Sequence, residues 1–274
     1  MGIISDKKEP QTRWALGLRS RPLLQAIASV KYMLTKDTTF QSEAWYYRQF
    51  KRSGKYYITK DTSLLSYIWC YRQIGRFGDV SVMQNRLAFP FGFTYDSIVP
   101  LSSFLGLPDP IKDLTLLRAA VINDSSLALF PWLNYASIQN TLPDSIPLKQ
   151  LAEDYAFRKR DTLVIERHSQ NRISGSITLT RKKLLFFSIP FDRGWHAVVD
   201  SRPVRLECVS IGFTGLTVDK GRHYVELYFR SPLLPKCAII SGLAIVLYFV
   251  LILVRMVLSR RYVVTERRDT VSSS

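Results

Sequence analysis

Asp192 and Asp200 stand at the two ends of Asp192-Arg-Gly-Trp-His-Ala-Val-Val-Asp200, with Trp195 and His196 between them. Two carboxylates can cleave a glycosidic bond when one is held protonated, the other ionised, and their separation is fixed. Trp195 adds an indole that could stack on a sugar ring. The same residues also fit a structural reading. Asp192 falls in the turn-forming run Phe191-Asp-Arg-Gly194 and Asp200 opens the turn Asp200-Ser201, where aspartate bonds its own backbone. Trp195 begins a strand after a tight turn, a place from which an indole fills a core. The structural reading is preferred for all three. Asp192, Trp195 and Asp200 are therefore retained as binding candidates, and no residue is assigned as catalytic.

Other chemistry is sparse. The three histidines, His168, His196 and His223, have no His-x-x-x-His spacing, and Cys70, Cys208 and Cys237 have no Cys-x-x-Cys spacing. No metal ligand set or cofactor is expected. No Gly-x-Ser-x-Gly elbow supports a Ser-His-Asp triad. The chain is strongly basic, with a formal charge of +16. Lys51, Arg52, Lys55, Arg158, Lys159, Arg160, Arg181, Lys182 and Lys183 fit attraction to anionic lipid head groups or an anionic wall polymer, or simply a solvated basic surface. Without a phosphate loop or recognition helix, nucleic acid is not expected as a partner.

The position of these residues relative to a membrane is set by the C-terminal end. Residues 238–254 carry no charge, and the apolar run resumes after Arg255. That is enough to cross a bilayer core of about 30 Å once Arg255 extends its head group outward. Arg260, Arg261, Arg267 and Arg268 follow and mark the cytoplasmic side, placing everything before Lys236 outside. The first thirty residues lack a signal-peptide pattern, and Asp6 rules out a myristoylation site. The chain thus reads as the end of something longer, or as one that relies on a partner to cross.

The expected architecture is α+β. Residues 1–147 form a mixed extracytoplasmic region, and 148–235 a membrane-proximal antiparallel β-sandwich. Residues 236–258 form one transmembrane helix, and 259–274 a basic cytoplasmic tail. Within the first region a helical pattern covers 10–36, counting Leu16, Leu23, Leu24, Ile27 and Met33, with further helices at 102–105 and 110–119 and a short strand at 120–122. Aromatic runs at 45–47 and 56–58 flank a turn at 51–55, and 143–147 is a linker. Short alternating segments at 162–167, 172–179, 183–189, 196–199, 202–209, 213–218 and 223–229 supply the strands.

Several of these stretches together resemble a known family. Phe187-Ser-Ile-Pro-Phe-Asp-Arg-Gly-Trp195, Val198-Val-Asp200, Gly212-Phe-Thr-Gly215 and Lys220-Gly-Arg-His223-Tyr-Val-Glu226 are similar to the C-terminal part of YfhO-family bacterial membrane proteins. Val30-Lys-Tyr32 and Leu87-Ala-Phe-Pro-Phe-Gly-Phe93 extend the likeness upstream in the same order. Ser201 departs from it, since the family carries Val-Asp-Gly at this turn. The resemblance implies GT-C-type glycosyltransferases that use a lipid-linked sugar to glycosylate cell-surface polymers such as lipoteichoic acid. Their catalytic acids lie in outer loops near N-terminal spans, so none transfers to this chain.

Two readings follow. In the first, the chain is a non-catalytic outer portion acting with a catalytic membrane partner, through which a lipid-linked sugar and an anionic polymer are met. In the second, it is a free-standing anchored module that binds anionic wall polymer or lipid head groups. An autonomous glycosidase using Asp192 and Asp200 is ranked below both.

Overall fold

The computed structural model describes residues 22–36, 70–107, 109–138 and 148–271. The expected aromatic runs at 45–47 and 56–58, the turn at 51–55 with Lys51, Arg52 and Lys55, the linker at 143–147 and the start of the 10–36 helical pattern lie outside these residues. Two compact units divide at Tyr228 and Phe229.

In the first unit, the run Lys183–Pro190 explains the layout. It reads Lys-Leu-Leu-Phe-Phe, with no polar residue alternating through it, as a strand buried on both faces must. This strand, β10, sends Leu184 and Phe186 into one apolar cluster and Leu185 and Phe187 into another. It lies in a seven-stranded central sheet. Its companions are β4 (Gly92–Tyr95), β5 (Ser97–Pro100), β6 (Ala120–Ile122), β7 (Asn134–Tyr135), β13 (Glu207–Val209) and β14 (Phe213–Val218), in the order β4-β10-β14-β13-β6-β5-β7. Pairing is antiparallel from β4 to β6 and parallel from β6 to β7.

One cluster joins this sheet to helices. Leu23, Leu24 and Ile27 of α1 (Pro22–Ile27), Phe104 of α2 (Leu101–Leu105) and Leu114, Leu116 and Leu117 of α3 (Asp109–Arg118) pack with Phe93, Tyr95, Leu184 and Phe186. The other cluster joins it to an antiparallel outer sheet, in which Ile173, Ile177 and Leu179 of β9 (Arg172–Leu179) and Val225 and Leu227 of β15 (Gly221–Phe229) recur with the strand period of two. The outer sheet has the order β12-β11-β15-β9-β8, with β8 at Val164–His168, β11 at Trp195–Val199 and β12 at Arg202–Val204. His168, one residue beyond the strand expected at 162–167, is the last residue of β8. A third, three-stranded antiparallel sheet joins β1 (Tyr32–Thr35), β3 (Val80–Asn85) and β2 (Tyr71–Phe77).

The fold class is therefore α+β with extensive antiparallel sheets. The central sheet draws strands from both sides of the expected boundary at residue 147.

The helical pattern expected to reach residue 36 ends at Ile27, and Met33 lies on β1 instead. The stop is local. Ser29 adopts φ 57°, its N–H donates to Ala26 O, and the Val30 N–H donates to Gln25 O. This is the left-handed closure that glycine usually makes at a helix end, made here by serine.

At the β11–β12 turn, Asp200 and Ser201 have φ 49° and 66° between the paired residues Val199 and Arg202. A two-residue hairpin turn of this hand favours glycine at its second place. Ser201→Gly is expected to stabilise the fold by about 0.5–1 kcal/mol, the relief of left-handed strain less glycine's extra unfolded-chain entropy. A midpoint in chemical denaturation that does not rise would contradict this.

The second unit contains α5, which runs from Leu234 to Val271. Within it Cys237–Met256 is long and apolar enough to cross a membrane. The helix itself continues beyond the expected limit at 258.

Candidate functional site

Asp192 and Asp200 flank β11 at opposite ends. A five-residue strand rises about 3.3 Å per residue, so the two carboxyl groups are more than ~10 Å apart, beyond the reach of a glycosidase pair. Each has a separate local task. Asp192 Oδ1 accepts from the Gly194 N–H at 2.7 Å and closes its own turn. Trp195 follows, half-buried, packed against the cluster shared by the central and outer sheets.

Asp200 ties the β11–β12 turn to β15. Its N–H donates to Tyr224 O at 3.0 Å, and its Oδ1 accepts from the Tyr224 N–H at 2.8 Å. Oδ2 lies 2.6 Å from His223 Nδ1. The Tyr224 amide and then His223 hold the Asp200 carboxyl below its usual range. Asp200 in turn raises His223 above its ordinary 6.5, against a smaller opposing effect of burial.

The sign of the linkage follows. The stability contributed through His223 is fully present below its unfolded value and disappears as pH rises through its raised folded value. The contribution of Asp200 is present above the ordinary carboxylate value and lost as pH falls through its lowered one. Asp200→Asn keeps an oxygen for the Tyr224 amide and tolerates the left-handed turn, but removes the charge. His223 is then expected to titrate closer to 6.5, as followed by NMR of the imidazole protons, and an unchanged titration would remove the pair from this account.

A denser set of charges lies where α4 (Leu148–Arg158) ends. Arg158 is buried. Its guanidinium lies 4.2 Å from the Tyr95 ring centroid and donates to three carbonyl oxygens: Leu117 at 3.0 Å, Arg118 at 2.5 Å and Thr94 at 2.6 Å. Leu117 and Arg118 end α3. The Tyr95 hydroxyl donates to Leu116 O at 2.5 Å and the Ala119 N–H to Thr115 O at 2.8 Å, so all four terminal carbonyls of α3 are satisfied. Burial lowers the Arg158 pKa, and the nearby Tyr95 and Asp96 oppose that shift. Burial also pushes the Tyr95 phenol well above its usual value.

Around this core, Asp96 pairs with Arg181, and Lys183 Nζ lies 2.7 Å from Asp161 Oδ2 and 3.8 Å from Asp96 Oδ2. Two basic runs far apart in sequence, 158–160 and 181–183, thus meet at one corner. Lys183 and Arg160 share the Phe157 ring, at 5.8 and 5.3 Å from its centroid. Sequence reading named the cations but missed Asp96, Asp161, Phe157 and Trp132, whose ring centroid is 5.4 Å from Lys182 Nζ, as their partners. Short motifs could have suggested Asp161, which directly follows Arg160, but nothing local points to Asp96 or Trp132.

Among the described residues no group of three or more His, Cys, Asp or Glu side chains could hold a metal ion. Cys70 is buried, and burial pushes its thiol up to about 12, which suits packing rather than nucleophilic chemistry.

Antiparallel sheets over a helical layer, followed by one apolar helix long enough to cross a membrane, define a module with a candidate membrane anchor. Residues 132–241 match the family described as bacterial membrane protein YfhO. A stretch of 79 residues, 29% of this chain, is 27% identical to the uncharacterized protein YfhO of Bacillus subtilis (strain 168). The match covers 9% of that relative's length. No solved structure matches.

Proposed function

We propose that this chain is an extracytoplasmic C-terminal portion of a YfhO-like membrane protein, anchored by α5, that serves the glycosylation of cell-surface polymers such as lipoteichoic acid without supplying the catalytic acids. The observation that carries the reading is the extent of the family match. It begins at Trp132, beside β7, runs through both large sheets and ends at Ile240, Ser241 and the first turns of the apolar helix. The later strands of the two large sheets and the start of the helix are therefore the matched part. The wide separation of Asp192 and Asp200 favours a supporting role over an autonomous glycosidase.

In this reading the chain resides in the bacterial cell membrane. The arginines at 260, 261, 267 and 268 keep the C-terminus cytoplasmic, and the sheets face outward. The catalytic membrane portion is a separate partner that presents the lipid-linked sugar. The test is deletion of the gene in its bacterial host, followed by measurement of the glycosyl content of purified lipoteichoic acid. A fall in sugar per phosphate that is restored by the re-expressed chain is expected. Unchanged sugar content in a strain shown to have carried the chain in its membrane would overturn the reading. The Cys208 side chain, which is exposed, should also react in intact cells with a thiol reagent that cannot cross membranes.

A further inference from the structure

We propose that the outer face of the sheet β1-β3-β2 is a docking surface for an anionic bilayer, settling at the boundary between head groups and acyl chains. Strand register fixes which side chains share this face. Met33 and Met83 stand opposite each other and pack on the cluster that joins the helices to the central sheet, so they mark the inner face. Their neighbours along each strand point the other way. Tyr32, Gln84 and Arg72 form one row across the outer face, and Leu34, Val82 and Gly75 the next. Val80 and Phe77 close it at the β2–β3 turn. The Phe77 ring folds back along β2, within 3.9 Å of where a Gly75 Cβ would stand.

This face is apolar and open. Tyr32 is 51% exposed, Leu34 69% and Phe77 75%. Large apolar side chains gathered on one open surface mark a contact site, whereas single ones scattered over a surface do not. Cations edge the face at both ends. At one end, Arg72 Nη2 donates to Gln84 Oε1 at 3.4 Å, and Lys31 Nζ lies 5.5 Å from the Tyr32 ring centroid. At the other, Lys36 Nζ is 3.0 Å from Asp79 Oδ2, and Arg76 donates to Gly78 O at 3.0 Å. Asp79 is the sole acid in residues 31–36 and 71–85, so the rim is cationic after that pair is formed.

An anionic bilayer answers both features. Tyrosine, phenylalanine and leucine bury their apolar bodies at head-group level, while long basic side chains reach the phosphates around them. Two copies of this face would instead bring like charges together along its rim. Residues 37–69, which connect β1 to β2, carry Arg48, Lys51, Arg52, Lys55 and Lys60 against Asp37, Glu43 and Asp61, and so offer the rim no excess of acid. The inference rests on the membrane anchoring proposed above. An anchored chain stays at the bilayer, so even a shallow contact forms at high effective concentration.

The test places the photoreactive residue p-benzoylphenylalanine at position 77 of the full chain, reconstituted in phosphatidylcholine vesicles with and without phosphatidylglycerol. After illumination, mass spectrometry identifies what the probe has joined. Lipid adducts should dominate, and should be about threefold or more abundant when phosphatidylglycerol is present. Arg72→Gln together with Arg76→Gln should bring the yield in anionic vesicles close to that in phosphatidylcholine alone. The same probe at Val164, 63% exposed on β8 of the outer sheet, should give few lipid adducts. Hydrogen exchange at the β3 amides establishes that each variant keeps the sheet.

A cross-link from position 77 into residues 37–69 would give the face to this chain's own segment and overturn the proposal. Covalent dimers would overturn it in favour of a second copy. Equal lipid yield at Val164, or a yield indifferent to phosphatidylglycerol or to Arg72 and Arg76, would also overturn it. An alkaline carbonate wash separates this inference from the reading it rests on. Chain removed by the wash means that α5 does not anchor it, and both fall together. Chain retained without lipid adducts overturns the docking alone and leaves the anchoring intact.

Discussion

Gly175→Ala should strip β8 from the outer sheet and lower the unfolding free energy by about 2–4 kcal/mol, as expected where overpacking meets backbone. A Cβ at this position would overlap the Val164 carbonyl oxygen and stand 2.9 Å from the Val164 carbonyl carbon and 3.0 Å from Ile165 Cα. All three atoms are backbone, so no rotamer change relieves the clash. β9 can keep its pairing with β15 only if β8 moves. β8 is an edge strand with every residue exposed, paired to β9 across a register shift between Ile165 and Arg167. It therefore has few side-chain contacts to resist displacement. Hydrogen exchange should show lost protection at β8 amides while the β10–β14 ladder stays protected. Uniform protection in the variant would mean that the close approach is not needed.

The second large effect is at Arg158. Arg158→Met should destabilise by about 3–5 kcal/mol, because it leaves the buried oxygens of Thr94, Leu117 and Arg118 without their charged donor. Arg158→Lys should recover only part of this. An ammonium is a point charge and cannot present a planar fork to three carbonyl oxygens on two different elements. Denaturant unfolding of the parent and both variants checks the order arginine, lysine, methionine. If lysine equals arginine, charge at the end of α3 is the whole effect, and the fork geometry contributes nothing.

These two positions also show where sequence reading succeeds and stops. Local periodicity is strong in the outer sheet, and 172–179 and 213–218 are strands with the expected limits. The apolar run after residue 182 gives a strand with both faces covered. The turn at Asp200-Ser201 follows from its residue types, as does the role of Asp192 in its own turn. Partners distant in the chain leave no such signal. Nothing near Arg158 tells that Thr94 and the end of α3 wait for it, so it reads as one more member of a surface cluster. Ser29 hides a helix end because a left-handed serine looks like any other serine. For the same reason, Asp200 is legible as a turn former but not as the partner of His223, twenty-three residues away.

The order of strands in the central sheet bears on how the chain can be made. β4 finds its neighbour only when β10 exists, roughly ninety residues later, and β6 waits as long for β13. Such distant pairings make folding slow, because the intervening chain must close as a loop before any contact rewards it. The family-matched segment starts after β4, β5 and β6 have passed. Expressed alone it would present bare edges at β10 and β13 and uncover Leu184 and Phe186, which are fully buried in the complete fold. Unpaired edges flanked by large apolar side chains favour association between molecules. The stretch that matches the family model is thus not an autonomous folding unit, and a chain emerging in stages must keep its early strands from aggregating until the later ones arrive.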